Sequence, residues 1–342
     1  MPADPPADET PPAASHLRRI LVLGATGSIG RANVQALIAR GHAVRCLVRA
    51  GRKPGALEAM LPGAEIRIGD VTDPADVSRL CFGDGEVSAV VSCLASRTGA
   101  PKDAWAIDHA AHRGVLAAAR AAGVAQMVLL SAICVQKPRL AFQQAKLAFE
   151  AELMQSGLDW SIVRPTAYFK SLCGQLDRLR AGKPFLVFGD GRLTACKPIS
   201  DRDLADFIAG CLDDPARRNR ILPIGGPGPA LTPLEIGTQL SRALGREPAF
   251  RHVPVALLDT IIVGLSAAGV VSQRLREKAE LARIGRYYAT ESMLLWDAAA
   301  GRYNAAATPE HGSETLFEFQ RKLVAGDPAA LAEAARDAHA VF

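Results

Sequence analysis

No two of the seven cysteines (Cys46, Cys81, Cys93, Cys134, Cys173, Cys196 and Cys211) lie closer than twelve positions. That spacing excludes a Cys-x-x-Cys redox motif or a zinc knuckle. Scattered through apolar segments, they read as reduced thiols of a cytoplasmic protein. Charge of one sign is also lacking, since 40 basic against 35 acidic side chains leave +5 over 342 residues. So small an excess does not mark a nucleic-acid binder, but it suits an acidic small molecule. No metal-ligand constellation is present: His109 and His112 stand three apart without a third ligand and read as a surface pair. Long hydrophobic runs are missing too. The most apolar segment, residues 253–271, is interrupted by Pro254 and Asp259, and its uncharged part is twelve residues long. A membrane span needs about 20. The segment reads as a buried helix, with a wall for a greasy ligand or a patch touching a bilayer as the alternatives. Residues 1–17 hold five prolines, no arginine and no hydrophobic run. They are expected to form a disordered arm that is neither a secretory signal nor a transit peptide.

What is present is an ordinary globular balance, 49% hydrophobic and 22% charged, which rules out a mostly disordered chain or a fibre. Short apolar runs are expected as strands at 19–23, 43–48, 65–69, 88–93, 126–131 and 159–163. Helices are expected between them at 29–40, 104–122 and 140–156. This alternation predicts an α/β fold, a doubly wound parallel sheet. Residues 18–170 would make the nucleotide-binding domain and 171–342 a smaller C-terminal substrate lobe that returns some elements to the sheet. In that second half, Gly189-Asp190-Gly191 reads as a hairpin turn within 185–194. Helices at 201–212 and 232–244 and a strand at 221–224 complete the expectation.

Gly24-Ala25-Thr26-Gly27-Ser28-Ile29-Gly30 follows the first strand and opens the first helix. Gly24 permits the tight turn, Gly27 lets backbone approach a pyrophosphate, and Gly30 lets helix and strand pack closely. The amides of Thr26, Ser28 and Ile29 then face the phosphates. In this strand–turn–helix context the pattern identifies a Rossmann-type NAD(P) site. An acidic residue at the end of the second strand would select NAD. Arg49 stands there, with Arg52 and Lys53 close behind, so the cofactor expected is NADPH, its 2′-phosphate met by guanidinium. Asp70 and Val71 after the third strand would border the adenine. Ser92, Cys93, Leu94 and Ala95 would run along the cofactor.

Short-chain dehydrogenases sharing this glycine spacing carry Tyr-x-x-x-Lys after the fifth strand. Here the spacing is kept as Phe142-Gln143-Gln144-Ala145-Lys146, without the phenol, while Ser131 remains. Phenylalanine cannot protonate an alkoxide, so ordinary carbonyl reduction is disfavoured. Two readings suit such a site: reduction of an activated carbon–carbon double bond, or NADP sensing with no reaction.

Longer runs narrow this. They are residues 90–97 (VVSCLASR), 129–138 (LLSAICVQKP), 161–172 (SIVRPTAYFKSL), 188–200 (FGDGRLTACKPIS), 222–235 (LPIGGPGPALTPLE) and 284–294 (IGRYYATESML). Over roughly residues 19–322 the chain resembles the divinyl chlorophyllide 8-vinyl reductases, atypical short-chain dehydrogenases of the NmrA and isoflavone-reductase-like superfamily. The resemblance implies NADPH-dependent reduction of an 8-vinyl group to ethyl on a magnesium tetrapyrrole, in chlorophyll or bacteriochlorophyll synthesis. The magnesium would belong to the substrate. Lys146, Tyr168 or bound water would supply the proton, with Ser131 also placed among the catalytic residues. Pro165 and Thr166 would border the nicotinamide. Phe142, Phe169, Leu172 and the segment 257–271 would wall an apolar pocket. A propionate could meet Lys170, Arg178 or Lys197. The expected setting is the cytoplasm of a bacterial phototroph, with the periphery of its photosynthetic membranes as the alternative. An NmrA-like regulator without catalysis and another isoflavone-reductase-like double-bond reductase remain the competing readings.

Overall fold

The computed structural model describes residues 17–51, 55–270 and 272–334. Strands come in the order β1 (Arg19–Leu23), β2 (Ala43–Val48), β3 (Glu65–Ile68), β4 (Val87–Ser92), β5 (Gln126–Leu130), β6 (Asp159–Pro165), β7 (Phe185–Phe188) and β8 (Arg220–Ile224). All but β7 join one seven-stranded sheet, ordered β3-β2-β1-β4-β5-β6-β8. Every pairing in it is parallel. The helices threaded between these strands are α1 (Ser28–Ala39), α2 (Ala56–Met60), α3 (Pro74–Asp76), α4 (Pro101–Ala104), α5 (His112–Ala121), α6 (Ala141–Met154), α7 (Leu176–Arg180) and α8 (Asp201–Gly210).

The two-residue period of the strands builds two cores. Ile20 and Val22 point to one face with Val34 and Leu37 of α1 and Leu204 and Ile208 of α8. Leu21 and Leu23 point to the other with Val115 of α5 and Phe149 and Leu153 of α6. Strand order reverses between β1 and β4, so a crevice opens at their carboxyl ends, where nucleotides bind in such sheets. The long Ala-rich helix is not uniform. A π-helical stretch, Trp105–Ala111, separates α4 from α5, and such wide turns often re-aim side chains at functional sites.

The second half adds α9 (Pro233–Ala243), β9 (Phe250–Val253), α10 (Val255–Ala268), α11 (Gln273–Thr290), β10 (Leu295–Asp297), β11 (Arg302–Asn304), α12 (Leu316–Val324) and α13 (Pro328–Ala334). It gathers a third core from Leu176, Phe185, Leu240, Ile284, Tyr287 and Phe319, among others. α9 starts where a capping box dictates: Thr232 N–H donates to the Glu235 carboxylate at 2.8 Å, and Glu235 N–H donates to the Thr232 hydroxyl at 3.3 Å.

Two expectations need correcting. The turn at Gly189 and Gly191 does form, both residues having positive φ. No hairpin follows, because β7 pairs in parallel with β9 instead. The chain after the turn is drawn off to Leu231 and Met293 through Cys196. The apolar segment is helical as α10, but it is not buried: no residue of α10 is sequestered. It packs chiefly on α11 and leaves Leu257, Ile261 and Val263 exposed. Residues 1–16 of the expected arm lie outside the described residues, as do Arg52 and Lys53. Among the described residues no helix is long and apolar enough to cross a membrane.

Candidate functional site

The crevice begins at Gly24, whose φ of 71° is left-handed. A Cβ there would stand 2.5 Å from the carbonyl oxygen of Cys93, so only glycine lets the ends of β1 and β4 meet. At Gly30 a Cβ would stand 2.1 Å from the carbonyl oxygen of Gly24, which ties helix α1 to the turn. Gly27 is exposed and caps α1 without any side chain on the first-turn amides, and that turn contains no acidic residue. Thr26 is half-buried, and Ser28 and Ile29 are buried. An uncapped helix start behind an open glycine is the chemistry a pyrophosphate requires, so the residues present fit a dinucleotide.

At the adenine end, Arg49 is exposed just past β2. Asp70 accepts from the Thr72 amide at 2.9 Å and its hydroxyl at 2.8 Å. These bonds, with the charge of Arg49 adding a smaller share, hold its carboxyl below the usual carboxylate range. Val71, Thr72, Pro74 and Val77 line one side of a groove of about 210 Å³, with Ala106 and Ala110 opposite.

The end of β4 holds what the sequence reading missed. Lys146, on α6, places Nζ 2.9 Å from Oδ1 of Asp108, and both are buried. Oδ1 also accepts from the Ser96 amide at 3.3 Å. Asp108 sits in the π-helical stretch; four residues on, His112 opens α5. Its Nδ1 lies 2.9 Å from the Ile107 carbonyl and its Nε2 2.8 Å from Ser92 Oγ. A carbonyl can only accept, so Nδ1 carries the proton and Ser92 donates to Nε2. Burial, then the charge of Lys146, push the imidazole down to about 4, which keeps it neutral. The surface pair expected of His109 and His112 is therefore half wrong. His112 packs on Phe149 with ring centroids 4.7 Å apart, and His109 alone is partly exposed, beside Glu152. No cluster fit to hold a metal occurs among the described residues. The spacing Asp108-x-x-x-His112 beside a strand-end serine is the signal that could have revealed this group. Cys93 and Leu94 are half-buried and Ala95 exposed along the same edge. Burial pushes the Cys93 thiol up to about 12.

Other expected residues are placed differently. Ser131 donates to Glu150 at 2.5 Å, and Glu150 is ion-paired with Arg164. These contacts tie Ser131 to the Glu150–Arg164 pair at the end of β5. Phe169 is fully buried, its ring 5.4 Å from that of Phe319, and is core instead of pocket wall. Lys170 is buried, donates to Ser28 Oγ and lies 3.6 Å from Asp201. Lys197 is buried and ion-paired with Glu310, and Arg178 donates to the Pro184 carbonyl at 2.7 Å. Of these three cations Lys170 and Lys197 are thus buried, and Arg178 is half-buried. Pro165 and Thr166 are buried beside β8, where the Thr166 amide donates to the Ile224 carbonyl at 2.9 Å. Tyr168 is half-buried, with Lys170 Nζ 5.5 Å from its ring.

Phe142 and Leu172 both lie on the rim of the third core, as do Ala167 and Tyr288. Gly99 brings Ile284 of α11 near Phe142: a Cβ on Gly99 would lie 2.9 Å from Ile284 and 3.5 Å from the Phe142 ring. The wall is thus α11, and no residue of α10 joins this core. Tyr288 lies 3.9 Å from the Cys134 sulfur, its phenol raised well above the ordinary value by burial.

Comparison with known proteins agrees with this geometry. The NAD(P)H-binding family matches residues 24–215. The chain is 48% identical over 316 residues to divinyl chlorophyllide a 8-vinyl-reductase of Zea mays, covering 89% of this chain and 79% of that one. It is 47% identical over 322 residues to the protein of the same name in Arabidopsis thaliana, covering 89% and 76%. The fold is similar to that of an NADPH-dependent quinone oxidoreductase of Escherichia coli complexed with NADPH. There the TM-score is 0.64 at 19% identity, over 89% of this chain and 99% of the other.

Proposed function

We infer the workings of the site from one premise: the chain belongs to the divinyl chlorophyllide a 8-vinyl-reductase family. It is an NADPH-dependent oxidoreductase that reduces the 8-vinyl group of a divinyl chlorophyllide to ethyl. When bound, the reduced nicotinamide supplies hydride, and the conjugated macrocycle takes up the charge that an isolated olefin could not. The observation that carries the reading is the helix bearing Lys146. Its lysine is buried against Asp108, while the position for a phenolic acid holds Phe142 on an apolar wall with Leu172 and Ile284.

The division of labour follows. Gly24, Gly27, Gly30 and the α1 amides of Ser28 and Ile29 hold the pyrophosphate, with Thr26 at the turn. Lys170, beside Ser28, adds the cation for those phosphates instead of meeting a propionate. Arg49, joined by Arg52 and Lys53, takes the 2′-phosphate, and Asp70 and Val71 border the adenine. Ser92 to Ala95, Pro165 and Thr166 flank the nicotinamide. Lys146, oriented by Asp108, holds the ribose hydroxyls. Tyr168 delivers the proton that completes the ethyl group. The magnesium stays with the pigment. A peripheral membrane contact belongs to the same reading, because the substrate is a broad apolar ring.

Mixing the protein with NADPH and divinyl chlorophyllide should move the Soret band to the blue as conjugation is lost. No shift with folded, NADPH-saturated protein would overturn the assignment in favour of a cofactor-sensing regulator.

A further inference from the structure

We propose that the outward face of α10 docks on an anionic lipid bilayer. A helix at a water surface normally turns its charges outward. α10 does not. Its acid, Asp259, is half-exposed at the flank but tied by an ion pair to Arg286 of α11, and Ser266 accepts from Arg283 at 2.8 Å. Outward stand Leu257, Ile261, Val263 and Ala267, with Val263 69% exposed. The hydroxyl on that side, Thr260, is folded back onto the Ala256 carbonyl at 3.0 Å. Its hydrogen is thereby taken up within the helix. Val270, 78% exposed, extends the apolar surface into the turn.

Charge chooses the occupant. Past the turn, the first residues of α11 include the exposed Arg274, Arg276 and Lys278 against a single exposed acid, Glu277, which accepts from Gln273 at 3.2 Å. At the other end of α10 stand the exposed Arg251 and His252. An apolar stripe with a cationic rim is the pattern of an interfacial helix lying in the headgroup plane of anionic lipid. Area argues against a second copy of this chain. The fourteen residues of α10 make a stripe of ~20 by ~10 Å, roughly 200 Å², against about 800 Å² per partner in a stable dimer. The two copies would also bring like-charged rims together.

The position gives the contact a use, and for this it rests on the reductase reading. α11 carries α10 on one side and presents Ile284 and Tyr288 to the pocket wall on the other. Docking through α10 would hold the pocket one helix away from the lipid in which an apolar pigment partitions.

The test is flotation of the full chain with vesicles of phosphatidylcholine alone or mixed with phosphatidylglycerol. Binding is expected to the mixed vesicles, at least tenfold weaker to the neutral ones, and suppressed in about 1 M salt, where the screening length is ~3 Å. The double substitution Ile261→Glu, Val263→Glu should abolish it. Unchanged NADPH affinity in a fluorescence titration shows that the variant is folded. Mixed vesicles left unbound, a double variant that floats like the wild type, or a wild-type dimer dispersed by these substitutions would each overturn the proposal. Turnover of detergent-dispersed pigment is read separately: its absence with vesicle binding intact sinks the reductase reading and leaves the docking face standing.

Discussion

Lys146 and Asp108 form an ion pair of 2.9 Å in which both partners are nearly closed to solvent. The lysine belongs to α6 and the aspartate to the π-helical stretch before α5, so the pair fixes one element against the other. Removing one member strands a buried charge, at about 3–5 kcal/mol. Asp108→Asn should lower the melting temperature and weaken NADPH binding at least tenfold. Wild-type affinity in a folded Asp108→Asn protein would separate the pair from cofactor binding.

Arg49 is exposed and makes no ion pair among the described residues. Arg49→Ala should weaken NADPH by about 1.5–3 kcal/mol, the worth of a hydrogen bond to a charged group. NADH affinity should stay put, since it lacks the 2′-phosphate. Titration of both nucleotides checks this, and equal losses for the two would exclude a role in selecting NADPH.

Tyr168→Phe removes one hydroxyl and keeps the ring beside Lys170. General-acid contributions run to about 10²–10⁴-fold. Turnover of divinyl chlorophyllide should fall by at least ~100-fold at unchanged NADPH affinity. Undiminished turnover would pass the proton to Lys146 or water.

Glu333, on α13, is pushed up to about 7 by burial and by the charge of Asp201. The folded protein therefore holds a proton that the unfolded chain, with a carboxyl near 4.5, has already released in that window. The stabilising contribution of this group is complete below about 4.5 and is lost as pH rises through about 7. Glu333→Gln should match the wild type at pH near 5 and melt higher at pH near 8. Parallel melting curves for the two proteins across that range would show Glu333 to be uninvolved.

The sheet was legible because its strands are short apolar runs buried on both faces, and because Gly24 and Gly30 are required by contacts that any side chain would violate. β1 and β2 begin and end where those runs do. What failed depended on partners distant in sequence. Nothing local distinguishes an apolar helix in a core from one turned outward, and the exposure of α10 depends on its packing against α11. The Gly189 turn looked like a hairpin because β9, some 60 residues on, is invisible to a local pattern. Phe169 and Leu172 are near neighbours in sequence, yet one is core and the other pocket rim, a difference set by Phe319 on α12. His112 was read as a surface residue for the same reason: its burial depends on Phe149 and Ser92.

With Nδ1 tied to the Ile107 carbonyl and the ring kept uncharged, His112 is a frozen spectator between acidic and alkaline conditions. The hydroxyl of Ser92 thus keeps a single orientation throughout that interval. Any ionisation visible in a rate profile near neutrality must then originate in another group, or in the pigment itself.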